Sequence, residues 1–156
     1  MQPAAIQNQD EELELVAFRA GAQDFCLDIS YVREIRSWSP ATILPHAPDF
    51  VLGVINLRGA IVPIVDFASR LGLGATLPSD RHVIVIAVVG LQTVGFLVES
   101  VADIIGVAPS SIQPTPEVTS KSTIMFIKGV IAIDDRMLRL IDISTILPPI
   151  LKDDSE

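Results

Sequence analysis

The chain has 156 residues, enough for one compact domain or two very small ones, and 49% of them are hydrophobic against 19% charged. This balance excludes a disordered protein, and the longest apolar runs fall far short of the ~20 residues of a membrane-spanning helix. The net charge is −8, of which the two termini carry −5, and no basic stripe is present, so neither nucleic acid nor direct membrane insertion is predicted. No signal-peptide pattern opens the chain, and the single cysteine, Cys26, cannot form an internal disulfide, which favours a reducing, cytoplasmic setting.

The first half is rich in valine and isoleucine and is predicted to form short strands. We expect a turn at 21–24, a short helical turn or bent strand at Tyr31–Arg36, and a proline-containing loop or sheet edge at Ser39–Pro48. A second turn is expected at Arg58-Gly59, and a short helix at Ser69–Leu73 is expected to be stopped by Gly72 and Gly74. The strands of this half are predicted at Leu15–Ala20, Phe25–Ile29, Val54–Leu57 and Ala60–Phe67.

The second half repeats this pattern after a polar connection at 74–81. A proline-containing loop is expected at Pro109–Lys121, and a short closing helix at Ser144–Leu147. The strands are predicted at His82–Val89, Thr93–Val98, Gly129–Ile133 and Met137–Ile143. Many short strands with frequent turns favour small antiparallel barrels.

An internal repeat supports two similar halves. When Leu52–Leu71 is laid over Lys128–Leu147 without gaps, about 12 of the 20 pairs are similar, where chance predicts about 5. A shorter register pairs Phe25–Ile35 with Val94–Ile104. We therefore predict one domain over residues 13–151, made of halves at about 13–73 and 82–148 around a shared hydrophobic core, with strand exchange between them left open. Residues 1–12 and 152–156 are predicted to be flexible acidic tails.

The residues needed for catalysis are sparse. His46 and His82 lie far apart, no phosphate-binding or nucleophile motif occurs, and neither a metal site nor a cofactor is predicted. Cys26 alternates with apolar neighbours and is predicted to be a core thiol. Asp66 and Asp142 occupy equivalent repeat positions just before short helices, so helix capping is favoured over a catalytic pair.

The turn at Asn56–Gly59 is the candidate for binding. The repeat matches on both sides of this turn, but the turn itself differs from its counterpart at 132–135, and loop tips on a common scaffold are where function concentrates. Gly59 suits a backbone with positive φ, and Arg58 is expected to project from the hairpin towards a carboxylate or backbone carbonyls. A merely solvated arginine is the alternative.

The segment Gly53–Asp66, with its Asn-Leu-Arg-Gly turn and the strand Ile-Val-Pro-Ile-Val-Asp, resembles the signature of the CheW family of chemotaxis adaptors. Val32–Arg36 and Asp135–Leu138 resemble this family as well, and the resemblance covers roughly residues 13–148. It implies two five-stranded SH3-like β-barrels, packed pseudo-symmetrically around a shared core, with short helices. It also implies a non-enzymatic adaptor between the histidine kinase CheA and the cytoplasmic tips of methyl-accepting chemoreceptors, recruited to membrane-associated receptor arrays.

The resemblance also assigns positions. It implies a receptor-binding groove that includes Val32, Glu34, Gly53, Arg58 and Gly59. It implies a surface for the regulatory domain of CheA, which we place around Ser39–Leu44 and specifically at Ser39, Ala41, Ile43 and Leu44. Trp38, the only tryptophan, is either an interface residue or part of the core.

Two alternatives stay open. An adaptor of a parallel chemosensory pathway, such as one that controls type IV pili, would have the same features with different receptors. A small enzyme that uses Asp66 or His82 belongs to a different class and has little support. An oligonucleotide-binding barrel is disfavoured, because the body is acidic and the chain has only eight aromatic residues.

Overall fold

The computed structural model describes residues 12–116 and 121–147. The predicted acidic tails, 1–12 and 152–156, lie outside the described residues except for Glu12. Two four-residue α-helices, α1 (Phe67–Arg70) and α2 (Lys121–Ile124), accompany 3-10 turns at Ile29–Tyr31, Pro109–Ser111 and Ile143–Thr145. The strands are β1 (Leu13–Ala20), β2 (Gln23–Asp28), β3 (Val32–Ser37), β4 (Val51–Leu57), β5 (Ala60–Asp66), β6 (Val83–Val89), β7 (Gln92–Val98), β8 (Ser100–Val107), β9 (Ile127–Ile133) and β10 (Arg136–Ile141).

The strands form two sheets with the same internal plan, which we call sheet A and sheet B. Sheet A has the order β8-β1-β2-β10-β9, and sheet B has the order β3-β6-β7-β5-β4. In each sheet one pair is parallel, β2 with β10 and β5 with β7, while the neighbouring pairs are antiparallel. The predicted mainly β fold with two five-stranded units is confirmed.

The repeat extends along nearly the whole described chain. A shift of 69 residues lays β1–β3 over β6–β8, so that Val16 corresponds to Val85 and Ile35 to Ile104. The pair Val16↔Ile104 is therefore equivalent to the pair Val85↔Ile35. Each repeat contributes its first hairpin to one sheet and its last three strands to the other. The sheets therefore do not divide the chain into 13–73 and 82–148, because each sheet contains strands from both segments.

Alternate residues of the central strands face different cores, as the period-2 geometry of a strand requires. In β6, for example, Ile84 and Ile86 face the interior of sheet B, while Val85 packs in the core shared between the sheets. Cys26 lies fully buried in the interior of sheet A. Four phenylalanines dominate the shared core, where adjacent rings are 4.9–6.1 Å apart. They are Phe18, Phe25, Phe67 and Phe96.

Several predicted boundaries are corrected by the structure. Tyr31–Arg36 divides into the end of a 3-10 turn and strand β3, and the helix predicted at Ser69–Leu73 is instead α1, which begins at Phe67. The closing helix predicted at Ser144–Leu147 is a 3-10 helix at Ile143–Thr145. Strand β8 was not predicted, because most of its residues are exposed and its sequence lacks a regular apolar alternation.

Candidate functional site

The predicted binding residues lie on two elements of sheet B. Strands β4 and β5 are joined by a two-residue turn in which Arg58 has a φ of 52° and Gly59 a φ of 89°. Two consecutive positive φ values match the right-handed twist of a hairpin, and glycine tolerates them without strain. The side chain of Asn56 accepts a hydrogen bond from the amide of Gly59 at 2.8 Å and so fixes the turn.

Arg58 does not simply enter solvent, because it reaches a carboxylate of its own chain. Its Nη2 lies 2.5 Å from Oε1 of Glu34, on β3, and Arg36 contacts the other oxygen of the same carboxylate at 3.2 Å. The Arg58 side chain is 64% exposed and that of Glu34 is 26% exposed. The hydrogen bond from Arg58 is the main reason why the pKa of Glu34 lies below its usual value, with Arg36 adding to it. The cluster is therefore an ionised carboxylate between two cations at the surface.

Arg36 is the member of this cluster that the sequence did not predict. It lies two residues after Glu34 on one strand, so both side chains lie on the same face, and this spacing was the available signal. The Nε of Arg36 is buried and has no hydrogen-bond partner within the described residues.

The other predicted receptor positions differ in exposure. Val32 is half-buried and packs against the shared core, and Ile35, on the same strand, is an exposed apolar side chain. Gly53 is buried, with a φ of 144°, and a Cβ there would lie 2.3 Å from the carbonyl oxygen of Thr42. Gly53 is thus brought against the loop before β4 and not to the Glu34–Arg58 cluster.

The predicted kinase-binding segment lies along the free edge of β4. Thr42 pairs with Val54 through two backbone hydrogen bonds of 2.8 Å. Ile43 is 81% exposed, Ser39 and Leu44 are half-buried, and Ala41 packs against the interior of sheet B. Trp38 packs against the same interior, so packing within the fold explains its partial burial.

Asp66 and Asp142 both sit at N-cap positions. The carboxylate of Asp66 accepts hydrogen bonds from the amides of Ser69 and Thr76 and from the hydroxyl of Thr76. Asp142 accepts from the amide and the hydroxyl of Ser144. His82 accepts from the amide of Ser79 through Nδ1. Each of these polar groups is engaged in local structure.

A cavity of about 190 Å³ lies on sheet A, lined in part by Arg19, Asp24 and Arg136. Neither Asp66 nor His82 lines it. Within residues 12–116 and 121–147, no group of three or more His, Cys, Asp or Glu side chains is arranged to hold a metal ion. Among the described residues, no helix is long and apolar enough to cross a membrane.

Comparison with known proteins assigns the family. The family model described as the CheW-like domain matches residues 14–149. The chain belongs to the CheW family. It is 53% identical over 135 residues to the chemotaxis protein CheW of Rhizobium meliloti (strain 1021), covering 86% of this chain and 87% of that protein. It is 52% identical over 133 residues to the probable chemotaxis protein CheW of Rhizobium etli, covering 85% and 86%.

A solved structure agrees with the fold of this CheW-family chain. The crystal structure of the scaffolding protein TtCheW from Thermoanaerobacter tengcongensis matches with a TM-score of 0.76 and 32% identity over 84% of each chain. The chain is thus a chemotaxis scaffold of the CheW type, and the resemblance noted in the sequence is confirmed.

Proposed function

We propose that this protein is a non-enzymatic adaptor that couples methyl-accepting chemoreceptors to the histidine kinase CheA at membrane-associated receptor arrays. The observation that carries the proposal is the ion pair of Glu34 with Arg58, which are 24 residues apart in sequence. The family resemblance implies a receptor-binding role for each of the two residues. Their convergence at one exposed site supports a single docking surface for a receptor tip.

The chemistry of this surface suits a helical segment that presents carboxylates or other polar side chains. Arg58 presents a planar guanidinium on a turn whose backbone is fixed, which is the arrangement that recognises carboxylates and backbone carbonyls well. Val32 and Ile35 pair with Ala87 and Val85 and so lie on the opposite face of β3 from Glu34. Glu34 holds Arg58 in place in the absence of a partner.

The regulatory domain of CheA would dock at a different place on sheet B. The segment Ser39–Leu44 lies beside β4 and presents Ile43 almost fully to solvent. A large exposed apolar side chain contributes to a protein interface where it is part of a contiguous apolar patch. Two separate surfaces on sheet B would allow both partners to bind at the same time.

The proposal of a non-enzymatic protein is supported by the burial and the hydrogen bonds of the candidate catalytic side chains. Asp66 is only 2% exposed and its carboxylate accepts three hydrogen bonds, so it is not placed to meet a substrate. His82 is occupied by the amide of Ser79. Both are better explained as structural residues.

Substitution of Arg58 by alanine tests the receptor surface. We expect at least a tenfold loss of affinity for a receptor cytoplasmic fragment, because one or two charge-assisted hydrogen bonds worth about 1.5–3 kcal/mol each would be lost. Affinity for the CheA regulatory domain should stay within twofold. The melting temperature should change little, since an exposed ion pair contributes little to the stability of a fold.

The matched variant is Ile43→Asp, which we expect to show the reverse pattern. Calorimetric titrations of both variants with both partners, together with melting curves, complete the experiment. Equal losses for the two partners after Arg58→Ala, or a melting point several degrees lower, would show that Arg58 supports the hairpin and does not contact the receptor. A variant that binds both partners as the unaltered chain does would remove Arg58 from the site.

A further inference from the structure

Arg70, the last residue of α1, lies at the junction of the two repeats. Its guanidinium carbon is 4.5 Å from the ring centroid of Phe50 and 5.0 Å from that of Phe126. These phenylalanines occupy equivalent positions, because each lies directly before the first strand of its repeat's hairpin. The carbonyl oxygen of Phe50 accepts a hydrogen bond from the amide of Asp66, and that of Phe126 accepts one from the amide of Asp142. Two equivalent residues that contact one group must lie where the repeats meet.

The same guanidinium also holds the final turn of the second repeat. Its Nε donates to the carbonyl oxygen of Ile146 at 3.4 Å, and its Nη2 donates to that of Thr145 at 3.3 Å. Ile146 is itself the position equivalent to Arg70. Because the second repeat has an isoleucine there, it cannot return these guanidinium contacts, and its own bond to this part of the first repeat comes from the hydroxyl of Thr123 to the carbonyl oxygen of Leu71.

We propose that Arg70 is a one-sided clasp that fixes the two repeats against each other through its charged, planar head group. A guanidinium can stack between two aromatic rings and donate in its own plane to two carbonyls at once, which neither an aliphatic side chain nor an ammonium group can do. Partial burial lowers the pKa of Arg70 by desolvation, but arginine remains charged at neutral pH.

The competing explanation is that Arg70 only fills space. Long arginine stems often contribute through packing, and buried charged groups can be replaced by apolar residues of similar volume without loss. Arg70→Met separates the two explanations, because methionine keeps the flexible stem and removes the charge and the donors. Arg70→Lys keeps the charge and removes the planar fork. Arg81→Met, at an exposed arginine in the connection before β6, is the matched control.

Amide hydrogen exchange of the full chain provides the measurement. The amides of Thr145 and Ile146 are bonded within the turn that Arg70 holds. For the clasp, we expect Arg70→Met to raise their exchange rates at least tenfold, while amides in β6 and β7 change less than threefold. Arg70→Lys should fall between, and Arg81→Met should change nothing. Rates within twofold of the unaltered chain, or an equal rise in every amide, would overturn the proposal.

The two rings supply a second, independent readout. Phe50→Leu and Phe126→Leu should each raise the exchange rate of the Ile146 amide when Arg70 is present. If the rings act through the guanidinium, both effects should be at least fivefold smaller in the Arg70→Met background. Ring substitutions whose effects are unchanged in that background would show that Arg70 does not link the repeats. If Arg70→Met does not fold, the same comparison is made in the Arg70→Lys background.

Discussion

The absence of a side chain at Gly53 allows the loop before β4 to lie directly against that strand. A Cβ at this position would collide with the backbone of Thr42, which pairs with Val54 through two hydrogen bonds. Gly129 has the equivalent relation to Gln113 in the other repeat, where a Cβ would lie 2.7 Å from the carbonyl oxygen. Both glycines therefore allow a loop to cover the free edge of a hairpin, and sequence comparison alone could not separate this role from receptor contact.

Gly53→Ala should lower the free energy of unfolding by about 3 kcal/mol or more, since it adds a backbone collision to the strain of a positive φ. Gly74→Ala is the control, because Gly74 also has a positive φ but a Cβ added there would meet no atom within 4 Å. It should lose only about 1–3 kcal/mol. Urea denaturation measures both. Because Thr42 belongs to the segment proposed for the kinase, Gly53→Ala should also weaken binding of CheA more than binding of the receptor. Equal losses of stability in the two variants would contradict the collision.

Because of Cys26, the stability of the protein should fall as the pH rises through the alkaline range. Burial raises the pKa of its thiol from 9.0 to about 12. The stabilisation is complete below pH 9 and is lost as the pH rises towards 12, because the unfolded chain releases this proton first. Between pH 8 and 10.5, the free energy of unfolding should fall more steeply with pH for the unaltered chain than for Cys26→Ala, by up to about 1.4 kcal/mol per pH unit above 9. Urea denaturation at several pH values measures the difference, and parallel curves would show that the thiol is accessible to water.

Among the structural elements, the two capping aspartates differ in the number of hydrogen bonds that they accept and in the segments that they connect. The carboxylate of Asp66 is buried and ties α1 to the connection that follows it through Thr76, while among the described residues that of Asp142 accepts only from Ser144, two positions along. Asp66→Ala would leave three donors without their acceptor, so we expect a loss of about 2–4 kcal/mol. Asp142→Ala should lose about 0.5–2 kcal/mol, as for an ordinary cap. Urea denaturation of both variants tests the order, and equal losses would contradict it.

The elements also show what the sequence could predict. Strands with a buried face, such as β6 and β7, were found because apolar runs and glycine turns mark them. Strand β8 was missed because an exposed edge strand needs little apolar alternation. The family resemblance placed Glu34 and Arg58 in one groove but did not predict their ion pair, since contact between residues 24 positions apart depends on how the sheet closes.

For the molecule as a whole, the repeat was visible in the sequence, but the exchange of hairpins was not. The same alternation suits a strand in either sheet, so periodicity cannot say which neighbours β1 and β2 have. The parallel pairs of β2 with β10 and of β5 with β7 decide it, because each joins strands from different repeats. Neither repeat can complete a five-stranded sheet without the other.

This exchange predicts that the chain stays assembled when it is cut between its repeats. A site for a sequence-specific protease inserted between Leu77 and Pro78 would lie in the exposed connection, after the hydrogen bonds of Thr76 to Asp66. After cleavage, the two fragments should elute together in size-exclusion chromatography and unfold in one cooperative transition, because every sheet contains strands from both. The uncut protein with the same insertion is the control. Separation of the fragments on dilution without denaturant, or two unfolding transitions, would mean that each half forms a sheet from its own strands and that the exchanged topology is wrong.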